Sequence, residues 1–100
     1  MEEKLLSLLG IARRAGKVAL GFDAAADSMR SGKCRLLLLA SDLSERTKRS
    51  INNAAQNAQV RTIVLNIPME TLGAAVGKLT GIVAVNDKGF AEKMKTLCGE

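Results

Sequence analysis

Three short turns carry the residues best suited to bind an anion, because each leads from a predicted strand into a predicted helix. The turns are Leu20–Asp23, which contains Gly21, then Ser41–Ser44 and Leu65–Pro68. The first N–H groups of a helix have no partner within the helix, and the helix dipole makes that end positive, so it attracts phosphate. We therefore predict that backbone amides at these turns face a nucleic acid.

A catalytic set of side chains is not predicted. Asp23, Asp42, Glu45 and Asp87 each stand near a predicted helix start, where capping or the helix dipole explains a carboxylate. General acid–base catalysis needs two groups placed for proton transfer. The glycine-rich phosphate-loop pattern of nucleotide-binding enzymes does not occur in the sequence. We predict that the protein is not an enzyme and uses no cofactor.

Metal and redox chemistry are not predicted either. The chain has no His, and Cys34 and Cys98 stand far apart without the paired spacing of a zinc site. We expect both cysteines to be buried, reduced thiols. No apolar run reaches the length of a membrane span, and the acidic start Met-Glu-Glu-Lys does not resemble a secretion signal. We therefore expect a cytoplasmic protein with no membrane partner.

The charge balance favours RNA as the partner. Fifteen Lys and Arg against ten Asp and Glu give a net charge of +5, which is the sign that neutralises phosphates. Phe22 and Phe90 are the only aromatic residues, whereas proteins that bind single strands stack bases on exposed aromatic rings. The sequence therefore predicts recognition of a folded RNA by its shape.

Hydrophobic periodicity predicts alternating helices and strands within one domain, residues 1–100. Phe22 is expected on the buried face of the second helix, and the small residues of Gly73–Gly77 are expected to let a later helix lie close to the sheet. The pattern predicts an α/β fold, a three-layer α/β/α sandwich with a four-stranded mixed, mostly parallel sheet, in which the three turns meet at one end. The predicted strands are Lys17–Leu20, Arg35–Ala40, Val60–Leu65 and Ile82–Val85.

Several of these features, taken in order, resemble the L7Ae/L30e superfamily of ribosomal and kink-turn RNA-binding proteins. The resemblance covers nearly the entire chain. The features are Gly16-Lys17, Gly21, the Lys33–Ala40 strand, Asp42 with Ser44, Val60, and Leu72-Gly73 followed by Gly77. The segments LGIARRAGKVALG, LLLLASDLSERTKRSI, LGAAVGK and NDKGFAEKM are most similar to its small bacterial, YlxQ-type branch, which accompanies translation and transcription-antitermination genes.

The resemblance implies a non-enzymatic RNA-binding protein of ribosomal type, associated with the ribosome or with translation. It implies recognition of the sheared G·A pairs and bent backbone of a kink-turn or of ribosomal RNA, without DNA, by a monomer. The RNA contacts that it implies fall on Gly21, Phe22, Asp23, Ala24, Asp27, Ser44, Lys48 and the loop of Leu65, Asn66 and Ile67. Lys17 and Lys33 would add contacts to phosphate.

The second helix departs from the family pattern. Strong kink-turn binders in the family have Asn, then Glu, and a Lys three positions later, where this chain has Asp23, Ala24 and Asp27. The change removes an acceptor for guanine edges and replaces phosphate attraction with repulsion. An alternative is therefore a protein-interaction module that kept the fold while its RNA site eroded.

Plain structural explanations stay open for individual residues. Gly21 would then be only a flexible turn, and Leu65 and Ile67 would be core residues. Lys48, Arg49 and Asn52 would form an ordinary solvated helix face.

Overall fold

Five helices and four strands alternate along the chain in the computed structural model, which describes residues 2–100. Each strand is followed by a helix, as the periodicity of the sequence predicts. The elements are α1 (Glu2–Arg14), β1 (Val18–Leu20), α2 (Phe22–Arg30), β2 (Leu36–Leu39), α3 (Glu45–Asn57), β3 (Thr62–Val64), α4 (Met69–Val76), β4 (Ile82–Val85) and α5 (Lys88–Leu97).

The strands form one mixed sheet in the order β1-β4-β2-β3. The mixed sheet is confirmed, but the expectation that it is mostly parallel is wrong. β4 runs antiparallel to both of its neighbours, and the parallel pair is β2 with β3. The reason is the path through α4. A parallel strand needs a connection that carries the chain back to the opposite edge of the sheet, meaning the end at which the preceding strand began. The helix α4 and its loop instead return the chain to the edge at which β3 ends.

Helices cover both faces of the sheet, which confirms the three-layer sandwich. Side chains alternate along β2, so Leu36 and Leu38 pack into a core under α1, α4 and α5. Leu37 and Leu39 point the other way, into a second core under α2 and α3. All four residues of β2 are completely buried, as expected for a strand covered on both faces.

Three smaller expectations are corrected. Phe22 is 38% exposed, because it begins α2 beside the first residue of β4, at the edge of the sheet, and the buried face of α2 is carried by Ala25, Ser28 and Met29. Gly73 lies against the loop that follows α4 and not against the sheet. Cys34 is buried as expected, but Cys98 is only half-buried.

Among residues 2–100, none of the helices has the length and hydropathy needed to cross a membrane.

Candidate nucleic-acid interface

The carboxyl ends of β1, β2 and β3 lie at one edge of the sheet, and the turns that follow them lie together there. The N–H of Gly21 donates to the carbonyl oxygen of Ile82 at 3.0 Å, which ties the first turn to the start of β4. The N–H of Ser41 donates to the carbonyl oxygen of Ile67 at 2.8 Å, which ties the second turn to the third. The structure thus brings together the three turns that the sequence predicts.

A fourth loop, Gly77–Gly81, lies at the same edge. The carbonyl oxygen of Gly81 accepts a hydrogen bond from the N–H of Ala40 at 2.9 Å, and the side chain of Leu79 is 75% exposed. We refer to Leu20–Asp23, Ser41–Ser44, Leu65–Pro68 and Gly77–Gly81 together as the loop cluster.

The sequence does not indicate this fourth loop as part of the cluster, because a parallel β4 would place it at the opposite edge. The two glycines that bracket Lys78–Thr80, between a helix and a strand, were the available signal.

Gly73 gives the fourth loop its room. A Cβ at this position would lie 2.9 Å from the Cα of Leu79 and 3.0 Å from the carbonyl oxygen of Lys78. Gly77 ends α4 with a left-handed backbone, and its N–H donates to Gly73 at 2.8 Å. The hydroxyl of Thr80 then accepts from the N–H of Ile82 and donates to its carbonyl oxygen, at 3.2 and 3.1 Å. These contacts hold Leu79 outward on a defined loop.

Gly21 leaves the backbone at the start of α2 exposed to solvent. Its φ of 92° and ψ of 171° belong to a region that is essentially restricted to glycine. No side chain caps this helix, since Gly21 has none to offer. A Cβ built at Gly21 would meet nothing within 4 Å, so the surface there is open. The first-turn N–H groups of α2 are therefore accessible to an anion from solvent.

Ser44 in the loop cluster precedes α3, and Lys48 lies in the first turn of that helix. The hydroxyl of Ser44 accepts from the N–H of Thr47 at 3.2 Å, which is the N-cap that the sequence predicts. The ammonium of Lys48 lies 3.4 Å from a carboxylate oxygen of Glu45. The Lys48 side chain is only 20% exposed, so it is held close to the helix and not extended into solvent.

The third turn contributes mainly through its backbone. Leu65 and Ile67 are 6% and 3% exposed and belong to the core beneath α1, as in the plain structural explanation of these two residues. Asn66 between them is exposed. The turn then enters α4, whose first residue, Met69, donates its N–H to a carboxylate oxygen of Asp42 at 2.8 Å.

The exposed surface of α2 is mostly acidic or neutral. Asp23 and Ala24 are exposed on its first turn. Asp27 is also exposed and pairs with Arg30 one turn later, so its charge is partly offset within the helix.

Two of the predicted basic contacts lie elsewhere. Lys17 precedes β1, and its carbonyl oxygen accepts from the N–H of Asn86, just after β4. Lys33 follows α2 and leads into β2. Both residues are exposed, but they lie at the edge of the sheet opposite the loop cluster. The structure does not bring them together with Gly21, Ser44 and Lys48.

The two cysteines lie in different places. Cys34 lies just before β2, at the edge of the sheet opposite the loop cluster, whereas Cys98 lines a cavity together with Leu65, Asn66 and Ile67. Burial raises the pKa of the Cys34 thiol, against smaller opposing effects of backbone hydrogen bonds and Arg35. Burial also raises the pKa of the Cys98 thiol, and Glu100 adds to that shift. A protonated thiol is a weak nucleophile, so neither residue has the setting of a reactive cysteine.

The loop cluster therefore combines the starts of α2, α3 and α4 with two exposed apolar side chains, Phe22 and Leu79. Helix starts bind anions through free backbone N–H groups; of the three starts, α2 has no side-chain cap, whereas Ser44 and Asp42 each already accept from one N–H at the starts of α3 and α4. Apolar side chains can lie against bases. Such a surface fits a nucleic acid with a fixed backbone shape better than a small molecule, which needs an enclosed pocket.

The sequence also matches known proteins. The sequence profile of the "Ribosomal protein L7Ae/L30e/S12e/Gadd45 family" matches residues 3–95. The RNA-binding protein YlxQ of Bacillus subtilis (strain 168) is 34% identical over 91 residues, which cover 90% of each chain. The RNA-binding protein YlxQ of Enterococcus faecium is 30% identical over 95 residues, covering 95% of this chain and 91% of that protein.

A solved structure has the same fold. A protein of unknown function from Bacillus halodurans C superimposes with a TM-score of 0.90 at 32% sequence identity, covering 97% of this chain and 98% of that one.

Proposed function

The chain belongs to the ribosomal protein L7Ae/L30e/S12e/Gadd45 family, and from that membership we propose that it is a non-enzymatic RNA-binding protein. Its ligand is a structured RNA of the kink-turn kind, and it works with the ribosome or the translation machinery. It acts as a monomer in the cytoplasm and does not bind DNA. The two YlxQ relatives, which are named as RNA-binding proteins, support this proposal.

The observation that carries the proposal is the convergence of three helix starts at one edge of the sheet. Hydrogen bonds from Gly21 to Ile82 and from Ser41 to Ile67 hold these starts in fixed relative positions. Backbone amides in a fixed array suit a ligand whose phosphates also have a fixed array, because such contacts position a nucleic acid without reading its sequence. A sharply bent RNA backbone offers such an array.

The residues take different parts in this proposal. The amides that follow Gly21 meet phosphate, and Phe22, Asp23 and Ala24 line that contact. Ser44, Lys48 and Asn66 contact the RNA from the other two turns, while the buried side chains of Leu65 and Ile67 hold the third turn in place. Leu79 adds an apolar contact to a base.

Lys17, Lys33 and Asp27 have a more distant part. Lys17 and Lys33 reach an RNA only if it extends past the loop cluster to the opposite edge of the sheet. Arg30 pairs with Asp27, and this pairing reduces the repulsion between the Asp27 carboxylate and RNA phosphates.

The proposal is tested with a fluorescently labelled kink-turn RNA and a matched RNA in which Watson–Crick pairs replace the sheared G·A pairs. Fluorescence anisotropy over a range of salt concentrations should give tighter binding to the kink-turn RNA. The affinity should fall steeply as salt increases, because phosphate contacts release counterions. Equal, weak binding to both RNAs would refute recognition of the bent shape.

One observation favours a second candidate function. The exposed residues in the N-terminal half of α2 are Asp23, Ala24 and Asp27. Their carboxylates make this surface repel phosphate more than attract it. A protein-interaction module that retains the fold would bind a ribosome-associated protein there. Purification from cells separates the two candidates: nucleic acid absorbance that accompanies the protein supports the first, and a protein partner without nucleic acid supports the second.

A further inference from the structure

Helix α3 presents one exposed face that carries two arginines and uncharged polar side chains, with Glu45, the first residue of the helix, at its margin. Residues three and four apart lie on the same face of a helix, and the outer residues of α3 follow that spacing. All five are exposed and carry guanidinium, hydroxyl or amide groups. We call these residues the α3 outer face: Arg46, Arg49, Ser50, Asn53 and Gln56.

The charge on this face is unbalanced. The sequence contains no Asp or Glu between Glu45 and Glu70, and Glu45 pairs with Lys48. Arg46 and Arg49 therefore have no ion-pair partner within residues 2–100. Each of the helices α2, α3 and α5 contains one ion pair. Beyond its own pair, α3 carries Arg46 and Arg49 on its outer face, and this excess of basic charge concentrates anions.

The α3 outer face begins at the loop cluster and runs away from it. Ser44 caps α3 within the cluster, and the helix continues for 13 residues to Asn57. At 1.5 Å per residue the helix is about 20 Å long. A ligand held at the helix starts would therefore meet this face if it extended along α3.

The chemistry of the face favours a paired RNA stem. It has no aromatic ring, whereas single-strand binders stack bases on aromatic side chains. The wide minor groove of an RNA helix displays 2′-hydroxyl groups, which both donate and accept hydrogen bonds. The amides of Asn53 and Gln56 also do both, and the guanidinium groups of Arg46 and Arg49 suit phosphate oxygens.

Building on the proposed function, we propose that the α3 outer face binds the sugar–phosphate backbone of a double-stranded RNA stem that adjoins the structured element held by the loop cluster. The α3 outer face is thus a second contact surface, and its ligand is a double-stranded stem. The loop cluster recognises the bend of the RNA, and the contact with α3 forms only if the stem beside the bend is long enough.

The test compares two kink-turn RNAs, one with a stem long enough to run along α3 and one with that stem cut back. The variant Arg46→Gln with Arg49→Gln removes two charges and keeps polar side chains. The matched control is Lys88→Gln with Lys93→Gln, which removes two exposed charges from α5, on the other side of the sheet. Fluorescence anisotropy at several salt concentrations gives the affinity and its salt dependence.

The α3 variant should bind the long-stem RNA about tenfold more weakly than the unmodified protein. The slope of log affinity against log salt should become shallower by roughly 1 to 2, since each phosphate contact in a duplex contributes about 0.9. On the short-stem RNA the variant should bind like the unmodified protein. The α5 control should bind both RNAs nearly normally. Replacing ribose with deoxyribose in the long stem should weaken binding by the unmodified protein. It should not further weaken binding by the variant Asn53→Ala with Gln56→Ala.

The outcomes separate this inference from the proposed function. If the unmodified protein prefers the kink-turn RNA and the α3 variant matches it on both stems, the inference is wrong and the proposed function stands. An equal loss on both RNAs, or an equal loss in the α5 control, also overturns the inference, because the arginines would then act on the bend or on overall charge. If the unmodified protein binds neither RNA, both proposals fail.

Discussion

Asp42 caps a helix that begins 27 residues further along the chain: its Oδ1 atom accepts a hydrogen bond from the N–H of Met69 at 2.8 Å. The residue before Met69 is Pro68, which offers no side-chain cap to α4. The carboxylate of Asp42 therefore supplies the partner that the local sequence lacks, and it joins two turns of the loop cluster.

Replacing Asp42 with Ala should destabilise the protein by about 1 kcal/mol, the usual cost of losing an N-cap. For a domain of this size that corresponds to a melting temperature lower by about 4–8 °C. Thermal unfolding followed by circular dichroism measures the change. Asp42→Asn keeps an acceptor oxygen and should retain most of the stability. An Ala variant as stable as the unmodified protein would show that the hydrogen bond contributes nothing.

Replacing Gly21 with Ala should destabilise the fold by about 1–3 kcal/mol, because its backbone conformation is strained for any residue with a Cβ. It should also weaken binding of structured RNA by displacing the first turn of α2. Gly16→Ala is the control, since Gly16 also has a positive φ, and a Cβ there would meet nothing within 4 Å. The control should lose stability in urea unfolding but keep its RNA affinity. Equal RNA binding by both variants would remove the start of α2 from the interface.

Replacing Gly73 with Ala should destabilise the protein, although Ala is normally the better helix former by about 1 kcal/mol. The new Cβ would lie 2.9 Å from the backbone of Leu79, and such overpacking costs roughly 1–3 kcal/mol. Amide hydrogen exchange should become faster in Gly77–Gly81. A stabilised variant would mean that the loop moves aside without cost.

Replacing Leu79 with Ala should leave stability within about 0.5 kcal/mol of its original value, because the side chain is 75% exposed. The same change should weaken binding to structured RNA if Leu79 lies against a base as proposed. Ile11→Ala removes another exposed apolar side chain, which is 47% exposed on α1, and should not alter RNA binding. Anisotropy titrations of both variants make the comparison, and unchanged binding by Leu79→Ala would argue against the apolar contact.

The two thiols should resist modification at neutral pH. Burial raises the pKa of Cys34 and of Cys98, so the folded chain keeps these protons at a pH where the unfolded chain loses them. Stability from this source is fully present below the ordinary thiol pKa, and it is lost as the pH rises from there through the raised pKa of the folded chain. A thiol-reactive dye should label the half-buried Cys98 before the buried Cys34. Rapid labelling of Cys34 in the folded protein at neutral pH would contradict this expectation.

Local signals in the sequence were sufficient for most elements of the fold. Ser44 and Asp87 each accept a hydrogen bond from the N–H three residues later, as their types at helix starts predict. The all-apolar run of β2 forms a fully buried strand. These features depend on residues close together in sequence, which is why the sequence reveals them.

The direction of β4 and the parts of the interface that depend on it could not be predicted. Nothing in the residues of Ile82–Val85 says from which edge the chain enters the sheet, because a buried strand has the same pattern in both directions. The fourth loop and Leu79 were missed for that reason. Phe22 has the spacing of a buried residue, but its burial depends on whether the sheet extends beneath it.

The position of β4 also bears on how the protein folds during its synthesis. Within residues 2–100, β1 pairs with β4 alone, so β1 stays unpaired until β4, the last of these four strands in sequence order, has been synthesised. The hydrogen bond from Gly21 to Ile82 forms at the same late stage. Such long-range pairing slows folding, and a nascent chain truncated before Ile82 lacks an assembled interface. The proposed interface is therefore complete only after β4 has been synthesised.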